Sequence, residues 1–201
     1  MDRISHRHEQ TKPEISDVVT ALVDYDNVRT GREVTRIDAQ SNVAVVVERT
    51  LRVASRIFPN LTELRLRLYG GWVDKLGQFA PKAQWILPCL SAHRRRHGGV
   101  LVNPVLVTTM AVDPGIRLRG TYDAVLERQK MVDGMLTMDA LHYAGVTDTS
   151  VMIVTDDDDL VPGAIVACRH QRPLCWARVR PDGRAPNDNL LRELGVHLHE
   201  Y

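Results

Sequence analysis

Thr20-Ala-Leu-Val-Asp24-Tyr-Asp26-Asn27-Val28 and Val151-Met-Ile-Val-Thr155-Asp-Asp-Asp-Asp159 decide the fold of this 201-residue chain. Each is a short apolar run that stops at carboxylates. Runs of this kind suit strands covered on both faces, as in a parallel sheet. In an open parallel sheet, ligands bind beyond the carboxyl ends of the strands. Two strands ending in aspartate at that edge pool negative charge, which repels itself unless a cation sits among the carboxylates. Hard oxygen donors of this sort suit Mg2+ or Mn2+.

Outward from these two runs, strand and helix patterns alternate. Val18 to Asp24 reads as the first strand, and Ser41 or Asn42 as the cap of a helix ending near Phe58. Leu64, Leu66 and Leu68 alternate with Arg65, Arg67 and Tyr69, the period of a half-exposed strand. Pro81 and Pro88 are expected to break the following stretch into pieces, and Pro104 to interrupt a strand over Val100 to Val107. Tyr122 to Ala144 is the longest helical pattern, closed by Gly145. After the second aspartate-ended strand come a short helix with Pro162 in its first turn and late strands at Leu174 to Val179 and Val196 to His199. Between those strands lies a helix at Asn189 to Leu194. The expected fold is α/β: a Rossmann-like three-layer sandwich, its central mostly parallel sheet carrying helices on both faces. Residues 1–16 read as a flexible tail and 17–201 as one domain.

Composition narrows the function classes. With 44% hydrophobic and 25% charged residues the chain is an ordinary globular protein. A formal net charge of +1 excludes a global field drawing it onto nucleic acid or membrane, so any such binding rests on local patches. No apolar stretch is long enough for a bilayer span, and the first residues lack a secretory h-region. Cys89, Cys168 and Cys175 are odd in number and have no ligand-like spacing, which points to free thiols and the cytoplasm.

Three groups of residues carry the chemistry. Asp24 and Asn27 close the first strand; Lys130 and Asp133 are one helical turn apart; Thr155, Asp157 and Asp159 end the later strand and open a helix. Asp139 lies about 240° around from Asp133 at helical pitch and does not share its face. This set resembles the NYN family, a branch of the PIN-like metal-dependent ribonucleases. That family has a strand ending Asp-x-x-Asn (here Asp24-Tyr-Asp-Asn27), then a helix with Lys-x-x-Asp and a second Asp (here Lys130-Met-Val-Asp133 and Asp139). Its last part is a strand ending Ser-Gly-Asp-x-Asp-Phe-x-Pro, matched by Thr155-Asp-Asp157-Asp-Asp159-Leu-Val-Pro162. Asp156 stands where the family has glycine and Leu160 where it has phenylalanine.

The resemblance implies that Asp24, Asp133, Asp157 and Asp159 hold one or two ions of Mg2+ or Mn2+ and form the catalytic set of a ribonuclease. It further implies that Asn27 orients Asp24 or the RNA substrate, and that Thr155 and Lys130 hold a phosphate or steady the carboxylates. Arg119, just before the long helical pattern, is the best candidate for a phosphate contact outside the motifs. Arg94-Arg95-Arg96-His97 reads as a solvated face and Trp72 as a core residue, while an apolar face could support a homodimer.

Other readings stand beside this one. Asp24-Tyr-Asp26-Asn27-Val28 also satisfies the opening of the haloacid-dehalogenase-like phosphatases, with Asp24 as nucleophile, Asp26 as general acid, and Thr108, Lys130 and Asp156-Asp157 as the remaining parts. A non-catalytic RNA-binding module on the same fold is the third. Aspartates at strand ends and helix caps are common without any chemistry, and Asp156 and Asp158 are open to that explanation.

Overall fold

The computed structural model describes residues 16–31, 33–74, 76, 78–114, 122–123, 128–129, 131–146, 148–170, 174–179 and 186–201. The elements run β1 (Val18–Asp24), α1 (Tyr25–Val28), α2 (Arg36–Ile57), β2 (Glu63–Tyr69), α3 (Pro81–His93), β3 (Arg96–His97) and β4 (Val100–Leu106). Then follow β5 (Tyr122–Asp123), β6 (Arg128–Gln129), α4 (Val132–Val146), β7 (Ser150–Val154), α5 (Val161–Ala167), β8 (Leu174–Arg178), α6 (Asp188–Glu193) and β9 (His197–Glu200). Seven strands form one sheet in the order β3-β4-β2-β1-β7-β8-β9, and β5 and β6 pair separately. Every pairing in the large sheet is parallel except β3 with β4 at the edge. The α/β sandwich expected from the alternation of patterns is the fold observed.

Burial explains the central strands. From Val19 on, all of β1 is buried, as are all of β7 and all of β8, because helices cover both sides. Val19, Ala21 and Val23 face one apolar cluster with Val43, Val46, Val47, Ala83 and Ile86 from α2 and α3. Leu22 faces the opposite cluster with Met135, Leu136, Ala140, Val161, Ala164 and Leu191 from α4, α5 and α6. The chain builds outward from β1 through β2 to β4, then returns and builds the other way through β7, β8 and β9. The order therefore reverses between β1 and β7, the place where a parallel sheet opens a crevice at its carboxyl edge.

Four local expectations are corrected. The first long helix starts at Arg36 rather than near Ser41, because Thr35 and Asp38 form a reciprocal capping box. Pro88 lies within α3 on its exposed side, while Ala83, Ile86 and Leu90 bury the other. That packing offsets a proline cost of about 3 kcal/mol. Pro104 does not interrupt β4: Leu101 N–H points to Thr62 on the β2 side and Val102 N–H to Arg95, so by alternation position 104 faces the outer edge beyond β3. The longest helix is α2, and the pattern over Tyr122 to Ala144 divides into the β5–β6 pair and α4. Met131, with φ at 74°, lies just before α4, which begins at Val132.

Among the described residues, no helix is long and apolar enough to cross a membrane.

Candidate metal centre

Strand alternation aims Asp24. Leu22 points into the α4 side of the sheet, so Asp24, two residues on, ends the strand on that same side. The register pairs Val23 with Val154, which brings Thr155 alongside Asp24. The Thr155 hydroxyl donates to Asp24 Oδ2 at 2.9 Å and accepts from the Asp157 N–H at 3.0 Å. One side chain thus ties the carboxylate of β1 to the backbone of the turn after β7. Asn27, one turn along in α1, donates its amide to the same Asp24 oxygen.

Asp157 caps a short 3-10 helix, Asp158–Leu160, its Oδ1 accepting from the Asp159 N–H at 2.9 Å. Asp133 comes from the first turn of α4, which packs over β1 and β7. Asp24, Asp133 and Asp157 each present a carboxylate oxygen, and these lie within 4.8 Å of one another. They form a graded site, with Asp24 buried, Asp157 half-buried and Asp133 exposed. Burial pushes the Asp24 carboxyl up to about 6, against the bonds from Asn27 and Thr155, with the charges of Asp133 and Asp26 adding to the rise. Asp133 is also raised, by loss of solvent around its carboxylate and by the charges of Asp157 and Asp159.

The other candidates separate. Asp159 is exposed and close enough to raise Asp133, but it is not part of the converging trio. Asp156 Oδ1 accepts from the Val179 N–H at 2.8 Å. Asp158 sits 2.7 Å from Arg178 and accepts from Asn187 at 3.1 Å. Asp139 is fully buried away from the trio, accepting from Tyr69 O–H at 2.6 Å, Ala111 N–H at 2.6 Å and Arg67 at 3.1 Å. It fastens α4 to β2. Lys130 and Arg119 lie outside the described residues.

Asp26 points elsewhere, to Lys82 at 2.8 Å, Arg29 at 3.2 Å and the Gly71 N–H at 3.3 Å. Crowding works against its ionisation, although 42% of its side chain faces solvent; Lys82, Gly71 and Arg29 outweigh that and hold it below the usual carboxylate range. Trp72 is buried, its ring N–H on the Leu68 carbonyl. Arg96 and His97 pair with the start of β4, placing that basic run at the opposite end of the sheet from Asp24. Cys168 and Cys175 pack into clusters on opposite faces and share no ligand site.

The residues that sequence reasoning missed come from β8. Trp176 donates its ring N–H to the Thr155 carbonyl at 2.9 Å, and Arg178 reaches both Asp158 and Asp188. The only signal for either was its place on an apolar strand beside the aspartate run. No family model, curated protein or solved structure matches this chain.

Proposed function

We propose that the chain is a metal-dependent ribonuclease of the NYN, PIN-like kind, with Asp24, Asp133 and Asp157 holding Mg2+ or Mn2+ and Asp159 at the rim. The observation that carries this reading is the convergence of three carboxylates from β1, α4 and the turn after β7. The donor set fits a hard divalent cation. The upward shifts of Asp24 and Asp133 mark a cluster whose carboxylates resist full ionisation on their own, a strain that a cation relieves. When bound, such an ion lowers the pKa of water and stabilises charge building on a phosphoryl group.

The chain's own residues set the geometry for that chemistry. Thr155 and Asn27 fix one oxygen of Asp24, leaving the other for the ion. Thr155 also fixes the backbone of Asp157. Exposure of Asp133 and Asp159 leaves the outer side open to a strand of RNA. Asn27 is exposed beside Asp24 and suits the edge of that substrate path. Free thiols at all three cysteines suit a reducing compartment such as the cytoplasm. The phosphatase reading has less support, because Asp26 is ion-paired to Lys82 and Arg29 and held ionised, the wrong state for a general acid.

The test is incubation of single-stranded and structured RNA with wild type and Asp157→Asn, in Mg2+, Mn2+ or chelator. Cleavage by wild type that needs metal and falls roughly 100-fold in the variant is the expected result. Equal cleavage by the variant would remove the proposal. Metal-independent RNA binding without cleavage would replace it with the binding module.

A further inference from the structure

We propose that Arg178, at the carboxyl end of β8, is a positioning residue of the metal centre: by gripping Asp158 it holds the turn 155–159 so that Asp157 alone of its run faces Asp24 and Asp133. This inference rests on the metal reading above. Arg178 is 3% exposed. Its Nη2 lies 2.7 Å from Asp158 Oδ1, its Nε donates to Asp188 Oδ1 at 3.0 Å, and its guanidinium stacks 4.7 Å from the Trp176 ring centre.

The same strand end takes hold of the turn at several other points. Trp176 donates to the Thr155 carbonyl, Thr155 N–H donates to Ala177 at 3.2 Å, and Val179 N–H donates to Asp156. Residues 155, 156 and 158 are thus drawn toward β8, and 157 is left to turn the other way. Four adjacent carboxylates of like chemistry do not by themselves fix which one points inward. A buried cation beside one of them does so. Neither terminal nitrogen of Arg178 has a well-aligned hydrogen bond among the described residues, so the grip on Asp158 is one of charge, with the guanidinium itself held over the Trp176 ring.

The test compares wild type with Arg178→Met and with Arg178→Met/Asp188→Asn. The double variant removes the buried Asp188 charge that the single change would strand, while leaving Asp158 ungripped. Two readouts are taken: amide exchange of Asp157 and Asp159 by NMR in chelator, and Mn2+ affinity by calorimetry. Both variants should exchange faster at these amides and bind Mn2+ roughly 10–100-fold more weakly. The double variant should recover melting temperature without recovering either readout. If affinity returns along with stability, or if exchange in Arg178→Met matches wild type, Arg178 is merely structural and the inference is overturned. If wild type binds no Mn2+ while the exchange results hold, the metal reading falls and the grip on the turn stands.

Discussion

A β-carbon built on Gly163 would stand 2.4 Å from Thr137 Cγ2, so α5 meets α4 at a point where only glycine fits. Asp133 lies one turn before Thr137 on α4, and Asp157 lies just before the 3-10 turn that leads into α5. The spacing of these two helices therefore sets the spacing of two carboxylates. Gly163→Ala should cost about 1–3 kcal/mol by overpacking and weaken Mn2+ binding. Thr137→Ser, which removes the offending methyl, should restore much of both. Thermal melts and calorimetry on the single and double variants decide it; an unrescued double variant would count against helix spacing as the cause.

Asp24 predicts an unusual pH dependence. Its folded pKa, about 6, is above the ordinary 3.8. The native state therefore binds more protons than the unfolded chain between those values, and stability should fall as pH rises through that window. The loss is on the order of 2–3 kcal/mol, with Asp133 acting in the same direction. In chelator, wild type should melt lower at pH 7 than at pH 5, and Mg2+ should reverse the drop. Asp24→Asn should show a flatter profile and no response to Mg2+. Parallel curves for the two proteins would contradict the assignment.

Asp26 separates the two hydrolase readings. Its depressed pKa contributes stability that is present above the unfolded value and lost as pH falls through the folded one. Because the side chain is 42% exposed, Asp26→Asn should cost only about 0.5–1 kcal/mol at pH 7. The variant should keep most of its RNA cleavage and, like wild type, ignore an aryl phosphate. Hydrolysis of that phosphate by wild type, abolished in the variant, would instead establish a phosphatase.

Asp139 should behave as a strut. Asp139→Asn breaks the charge pairing with Arg67 in a buried setting and should lower stability by about 3 kcal/mol. Burial holds the Tyr69 phenol protonated well above its usual range, so it remains a donor to position 139. Folded variant should still bind Mn2+ within a few-fold of wild type. A complete loss of binding in protein that retains wild-type circular dichroism would make Asp139 a ligand.

By itself, the sequence determined the sheet's parallel strands and the aspartates that stand at its carboxyl edge, but not the two-residue edge strand β3, whose basic residues read as a solvated face. Those features are written in periodicity: a strand buried on both faces is mostly apolar, any buried hydroxyl in it needing a partner as Thr20 has in Thr149, and it ends where polar residues begin. Val18–Asp24 and Ser150–Val154 obey that rule. Where helices begin was less legible. The capping box at Thr35 could be read locally yet was masked by the stronger apolar stripe behind it, and the left-handed backbone at Met131 carries no local signal. From this run the sequence pointed to Asp157 and Asp159 through its resemblance, and tertiary structure brings Asp157 rather than Asp159 into the converging trio with Asp24 and Asp133. That choice depends on Thr155 meeting a carboxylate 131 residues away and on Arg178 neutralising Asp158. A pattern read along one strand or helix cannot contain a partner that packing alone brings near.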